Sequence, residues 1–263
     1  LQGVMQSYTD TAAAREVRGA VARRGLCGDV FLVGTPAGPR VTEVRVATSV
    51  RRKEIALDAA LGDLIRGHSY RLRARVRAQG QIVKEWASPR FTIEQLTDGR
   101  FAWACSWVPP EFWDLHTPQV THVLEVTLHD AAGQALDEFW KVRFGFREFW
   151  IEGRDFFLNG SPIHLSMVPL DNAQVGAARA NYPAARESLE RLKSFGINYV
   201  YTHNYGCEPG SHLGFAEILR AADDVGMLVG FSQPHFSHYD WRAADADREN
   251  GYARHAAFFV GAA

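Results

Sequence analysis

The period of the apolar residues changes once along this chain, and that change limits the fold more than any other feature. After Val41, Val44 and Val46 sit among polar neighbours. "YRLRARVRA" puts Leu72, Ala74 and Val76 on one face, and "HVLEVTLHD" alternates Leu124, Val126 and Leu128 with Val123, Glu125 and Thr127 before a turn at Ala132-Gly133. Short alternating strands broken by Gly, Pro and Asp predict an antiparallel sandwich, and no long helical pattern interrupts residues 38–147. A break follows at "FGFREFWIEGRDFFLNGSPIHL", residues 144–165, with a tight turn predicted at Asn159-Gly160. Gly145 is expected to permit a sharp change of direction there, with Phe144, Phe146, Phe149 and Trp150 packing the two regions together.

Beyond that turn the pattern becomes strand, helix, strand, helix, strand. A buried strand is predicted around Ile163–Met167, then an amphipathic helix in "NYPAARESLERLKSFG" with Leu189 and Leu192 inward and Gly196 as its stop. "INYVYTHN", "HLGFAEILRAADDVG" and "MLVGFSQ" continue the series. This is the grammar of a parallel β/α system, either doubly wound or the first part of a barrel. No Gly-rich phosphate loop follows these strands, which disfavours dinucleotide binding. A further short strand is expected at the end of "LCGDVFLV", residues 26–33, before Gly34 and Pro36.

With 263 residues, the chain exceeds the usual single-domain size, so more than one domain is expected. A formal net charge of -1 gives no reason to expect a nucleic-acid partner. Arg71, Arg73, Arg75 and Arg77 alternate and read as the wet face of a strand rather than a phosphate track. No run reaches the roughly 18 apolar residues of a membrane span. Cys27, Cys105 and Cys207 lack metal-ligand spacing and imply neither a zinc site nor a disulfide scaffold. The first residues, "LQGVMQSYTDTAAAREV", show no signal-peptide pattern and no initiating Met, which leaves cytoplasmic and exported locations both open.

Five separated segments, taken in order, resemble glycoside hydrolase family 2, the group of β-galactosidases, β-glucuronidases and β-mannosidases. "RRGLCGDVFLVGTP" is similar to the end of that family's jelly-roll domain, with Gly28 in place of an Arg and Asp29-Val30 kept. "WVPPEFWDLHTPQVTHVLEVTLHDAAGQALDEFWKVRFGFRE" resembles the end of its immunoglobulin-like domain, matching at Trp113, Pro118, Gly145 and Arg147. "FFLNGSPIHLSMVPLD" resembles the hairpin leading to the first strand of its barrel. "LKSFGINYVYTHNY" and "AADDVGMLV" resemble the surroundings of the second and third barrel strands. The resemblance implies a multidomain β-rich chain. Residues 1–37 are the end of a jelly-roll domain, 38–147 an immunoglobulin-like antiparallel β-sandwich, and 148–263 the first part of a (β/α)8 TIM barrel.

It also implies a retaining glycosidase acting on a β-linked sugar, with a carbohydrate substrate and no cofactor. Such chemistry uses two carboxyl groups roughly 5–5.5 Å apart. The family's acid/base Glu follows the fourth barrel strand and its nucleophilic Glu lies near the seventh, so both are expected beyond residue 263 and no residue here is assigned as catalytic. The segment is read as truncated at both ends and inactive alone.

Barrel chemistry gathers at the carboxyl ends of the strands. That places Asp171, Tyr201, His203, Asn204, Tyr205, Glu208, Ser232, Gln233 and His235 as substrate-binding candidates. Tyr201 and Asn204 stand where the family carries an Arg and a His, Tyr205 is retained, and Ser232 replaces an acid. The mouth therefore loses fixed charge but keeps hydrogen-bonding and aromatic groups, with Tyr239 and Trp241 as further stacking candidates.

Several weaker readings stand beside this one. Asp171 with Glu208 is a candidate substitute carboxyl pair, whereas Asp223 and Asp224 read as helix surface. His203, His212, His235 and His238 invite a metal site, but no third ligand follows from their spacing and no metal is assigned. The alternative in function is a non-catalytic carbohydrate-binding or structural protein, with Trp103, Trp107 and Trp113 as a sugar platform on the sandwich.

Overall fold

The computed structural model describes residues 3–8, 14–19, 32–170, 182–202 and 215–231. Contacts divide the chain into two compact units, Leu32–His164 and Leu1–Phe31 with Leu165–Ala263.

In the first unit, seven principal strands form two antiparallel sheets. β3 (Arg40–Ser49), β4 (Glu54–Gly62) and β7 (Arg100–Ser106) make one sheet in the order β3-β4-β7. β5 (Arg71–Ala78), β6 (Gln81–Ala87), β8 (His122–His129) and β10 (Val142–Phe144) make the other in the order β10-β8-β5-β6, and the short β9 (Ala135–Glu138) also pairs with β8. The only helical turn between them is a 3-10 turn at Ile93–Gln95.

Strand alternation sends one set of side chains inward from each sheet. Ile55, Leu57 and Ala59 from β4 meet Leu72, Ala74 and Val76 from β5 and Leu124, Val126 and Leu128 from β8 in one buried core. Burying each of the larger aliphatic side chains is worth about 1.5–3 kcal/mol. Phe91 stacks on Phe101 at 4.2 Å between ring centres within the same core.

The opposite faces carry charge. Arg73 and Arg75 converge on Glu85 of β6, and Arg77 pairs with Glu125, which also meets Lys141 at 3.3 Å. The alternating arginines thus lie on a strand's outer face, Arg73, Arg75 and Arg77 with carboxylate partners and Arg71 donating to the Ser88 carbonyl at 3.1 Å. On the other sheet Arg100 bridges Asp58 at 2.8 Å and Glu43 at 2.7 Å, across all three strands.

The FGFRE segment closes this unit. Phe146 is fully buried, between Trp107 and Phe112. Gly145 is required for a reason other than the expected one, since its φ is not positive. A Cβ there would lie 2.5 Å from the Cβ of Trp113, so the glycine admits a buried indole.

Three short strands follow in antiparallel order: β11 (Phe149–Glu152), β12 (Asp155–Leu158) and β13 (Ser161–Ile163). Asn159 (φ 53°) and Gly160 (φ 95°) form the predicted tight turn between β12 and β13. Trp150 stacks on Phe157 at 5.4 Å and lies under the Arg51 guanidinium at 4.5 Å. Phe149 stacks on Phe156.

Glu148 fixes this small sheet to the sandwich. Its carboxylate accepts from the Ser49 hydroxyl at 3.1 Å, the Arg51 backbone N–H at 2.9 Å and the Arg51 Nε at 2.8 Å. Its backbone N–H donates to Asn159 Oδ1 at 2.9 Å, and Asn159 Nδ2 donates to the Trp113 carbonyl at 2.8 Å.

The second unit contains β1 (Gly3–Tyr8) and β2 (Ala14–Gly19), an antiparallel hairpin that the sequence pattern did not announce. It also contains a parallel sheet of β14 (Met167–Pro169), β15 (Tyr199–Thr202) and β16 (Leu228–Phe231), in that order. Helices α1 (Tyr182–Ser194) and α2 (Phe215–Val225) pack on it, joining Val168, Val200 and Val229 to Leu189, Ile218 and Ala222. Gly196 and Gly226, both at positive φ, follow the helices and end them.

Two expectations are corrected. The strand expected around Ile163–Met167 is two strands separated by His164–Ser166, because β13 pairs back on its hairpin while β14 pairs in parallel with β15. Leu32–Pro36 is irregular, with Leu32 fully exposed, where a short strand was expected to end; the rest of that segment, residues 26–31, lies outside the described residues.

Gly145→Ala is expected to destabilise the first unit by about 1–3 kcal/mol, through overpacking against Trp113. Urea unfolding followed by tryptophan fluorescence measures this, and a change within error of zero would show that the indole can move aside.

A second expectation concerns pH. Burial alone would raise the Glu148 pKa, but hydrogen bonds from the Arg51 side chain and backbone and from Ser49 outweigh it and hold the carboxyl below its usual range. A depressed folded-state pKa stabilises the fold above the unfolded value near about 4.3, and that contribution is lost as pH falls through the folded value. The stability gap between wild type and Glu148→Gln should be on the order of 1–3 kcal/mol at neutral pH and shrink in acid. A gap unchanged by acid would assign the role to shape alone.

Candidate active-site face

Parallel strands present their carboxyl ends to one side, where the connecting loops converge. At the opposite end Asn198 fixes the sheet. Its side-chain Oδ1 accepts from the Ser166 N–H at 2.9 Å, its N–H donates to the Ser166 carbonyl at 3.1 Å, and its own carbonyl accepts from Leu228 at 3.0 Å. One asparagine thereby aligns the starts of three strands.

The two faces of this sheet differ. Val200 is fully buried against the helices. Alternation turns Tyr199 and Tyr201 to the other face, in register with Leu228 and Gly230 of β16 and Met167 and Pro169 of β14. Met167 is 60% exposed, and Tyr199 and Tyr201 are half-buried.

Tyr199 leans along the sheet over Gly230. A Cβ built on Gly230 would lie 1.8 Å from the Tyr199 hydroxyl oxygen and 2.6 Å from the ring carbon bearing it. Gly230 therefore leaves room for a phenol near the carboxyl end of β16. Sequence reasoning named Tyr201 and not Tyr199, although residues two apart on a strand share a face.

Among the sequence-predicted binding residues, Tyr201 is described. Its carbonyl accepts from the Leu170 N–H at 2.8 Å, which extends the β14–β15 pairing. Asp171, His203, Asn204, Tyr205, Glu208, Ser232, Gln233 and His235 lie outside the described residues, as do His212, His238, Tyr239 and Trp241. Among the described residues no group of three His, Cys, Asp or Glu side chains is placed to hold a metal.

Asp224 is part of the helix packing rather than simple surface, accepting from the Tyr182 hydroxyl at 2.7 Å. The described part of the face, from Met167 and Pro169 through Tyr199 and Tyr201 to Leu228 and Gly230, carries no carboxyl group. It offers aromatic surface and phenol hydroxyls, groups whose chemistry is stacking and hydrogen bonding.

The tryptophans proposed as a sugar platform do not form one. Trp113 is 1% exposed and Trp103 7%, while Trp107 packs edge-on against His122 and Phe146. Trp113 also has Arg147 over its ring at 4.2 Å.

No family model matches the sequence, and no curated protein matches it in sequence. Solved structures do match the fold. A β-glycosidase from Bacteroides vulgatus is 16% identical, with a TM-score of 0.56 over 86% of this chain and 27% of that one. A GH2 β-galacturonidase from Eisenbergiella tayi, bound to galacturonate, is 20% identical, with a TM-score of 0.53 over 84% of this chain and 39% of that one. Bacteroides uniformis β-glucuronidase 2, covalently bound to cyclophellitol-6-carboxylate aziridine, is 19% identical, with a TM-score of 0.53 over 74% of this chain and 24% of that one. The chain thus spans between about a quarter and two-fifths of these proteins. It resembles glycoside hydrolase family 2 proteins in fold.

The fit of Tyr199 over Gly230 is expected to appear as energetic coupling. Gly230→Ala should cost about 1–3 kcal/mol alone and less in a Tyr199→Ala background. A thermal-denaturation double-mutant cycle tests this, and additive effects would sink the assignment.

Proposed function

We propose that this chain is part of a retaining glycosidase that hydrolyses the O-glycosidic bond of a β-linked sugar. The observation that carries the reading is the order of architecture. An antiparallel sandwich is followed by an Asn-Gly hairpin and then by a parallel β/α sheet, and this order runs along a chain whose fold matches glycosidases over 74–86% of its length.

In this reading residues 38–147 are an immunoglobulin-like support, 148–263 begin a (β/α)8 barrel, and 1–37 end a jelly-roll domain. The carboxyl ends of β14, β15 and β16 form one side of the sugar site, with Tyr201 joined by Asp171, His203, Asn204, Tyr205, Glu208, Ser232, Gln233 and His235. The acid/base and nucleophilic Glu residues belong to strands beyond residue 263.

The division of roles follows from charge. An oxocarbenium-like transition state needs two positioned carboxyl groups, and the described face supplies none. Tyr201, next to last in β15, and the Tyr199 hydroxyl reaching toward Gly230 suit orientation of a sugar ring, which by itself lowers the entropic part of the barrier. The same lack of charge favours the second reading, a non-catalytic carbohydrate-binding or structural protein of this fold.

Assay of the 263-residue segment against aryl β-glycosides, beside the longer product, separates the readings. The segment is expected to show no turnover and the longer product to hydrolyse at least one β-glycoside with retention, read by NMR of the first-formed anomer. An inactive longer product lacking both downstream acids would favour the binding reading. Turnover by the segment, abolished in Glu208→Gln, would place the chemistry on the local acids instead.

A further inference from the structure

Trp140 is 57% exposed, while Trp103 and Trp113 are buried in the same unit. Its neighbours hold it in place. The Phe139 N–H donates to the Val126 carbonyl at 2.9 Å, and the Phe139 side chain packs on the sandwich core. On its other side, Lys141 is ion-paired with Glu125. The indole is therefore turned outward from a fixed backbone.

Beside it lies a cleft of about 280 Å³, lined by Pro36, Arg40, Asp137, Glu138 and Trp140 among others. That is below the roughly 300–1,000 Å³ of sites for drug-sized ligands, and suits one small ring. Asp137 is held in the wall by the Val41 N–H, which donates to its Oδ2 at 2.8 Å. The Arg40 guanidinium is already paired with Asp63.

We propose that this cleft binds a single neutral pyranose residue of a glycan, stacked on Trp140 and hydrogen-bonded through its hydroxyls to Asp137 and Glu138. An indole face takes up the C–H face of a sugar, and ionised carboxylates accept strong hydrogen bonds from hydroxyl donors. Electrostatics decides the class of sugar. Asp137 and Glu138 are among the lining residues, and the one arginine there, Arg40, is already paired with Asp63, so an anionic uronate meets unbalanced negative charge and a neutral hexose is accepted. The site lies wholly within the sandwich unit, is non-catalytic, and does not depend on the barrel reading.

Saturation-transfer NMR on the full chain tests this with methyl β-D-glucopyranoside, galactopyranoside and mannopyranoside, and with methyl β-D-glucuronide. At least one neutral glycoside should bind and the glucuronide should bind more weakly. Trp140→Ala should weaken the neutral ligand by roughly tenfold or more and Glu138→Gln by a few-fold, with circular dichroism unchanged. The proposal is overturned if no neutral glycoside binds, if Trp140→Ala leaves affinity intact, or if the glucuronide binds as well as the neutral sugars. Sugar bound elsewhere on the chain survives Trp140→Ala. An inactive longer product, in contrast, leaves the cleft untouched, so the two readings fail separately.

Discussion

The sandwich unit depends on the close approach of Trp113 to Gly145. The indole is 1% exposed, and the space beside its Cβ is the space that a side chain at position 145 would fill. From that contact the local order follows. The Trp113 N–H donates to the Phe146 carbonyl at 3.1 Å and its carbonyl accepts from Asn159 Nδ2. Phe146 enters the core, Arg147 covers the indole, and Glu148 reaches the Ser49–Arg51 turn. Thr48 adds a reciprocal pair, donating to the Arg147 carbonyl at 2.6 Å and accepting from its N–H at 3.2 Å. A residue without a side chain makes these contacts possible.

Charges in this unit do two different kinds of work. The outer pairs of Arg73 and Arg75 with Glu85 face solvent, where such pairs contribute about 0–1 kcal/mol each. They keep β5 and β6 soluble on one face without deciding the fold. Glu148 is nearly covered, with 13% of its side chain exposed, and accepts from the Ser49 hydroxyl and from the backbone and side chain of Arg51. Removing it would leave those donors short of a partner, which costs more than the loss of a surface pair. Geometry and burial, not the count of ion pairs, separate a structural carboxylate from a decorative one.

Much of the architecture was legible because it rests on local period. Leu72, Ala74 and Val76 alternate into a core, Asn159-Gly160 takes the positive φ angles of a tight turn, and Gly196 and Gly226 end their helices. What stayed hidden depends on partners distant in sequence. Nothing near Gly145 announces Trp113 across more than 30 residues, so the glycine was read as a bend. The same blindness misread the tryptophans. Spacing nominated Trp103, Trp107 and Trp113, but only the fold shows that Trp140 faces solvent. Of the nine binding residues proposed from the sequence, Tyr201 alone falls among the described residues, near the carboxyl end of β15. The contact of Tyr199 with Gly230 was not legible, because it appears only when β15 and β16 are laid side by side in register.

The parallel sheet also shows how two different faces share strands of three and four residues. Val200 must face the helices to form a core, and parity then assigns Tyr199 and Tyr201 to the other side. Asn198, one residue before β15, ties Ser166 and Leu228 and so fixes the height at which both phenols emerge. A shift of one residue in this register would bury the tyrosines against the helices and expose Val200, exchanging the two faces. Selection for packing therefore also holds the phenols in position. Under the proposed function this is what the first strands of the barrel contribute: fixed, uncharged contacts that set the sugar's orientation, while the ionised groups that break the bond come from strands later in the chain.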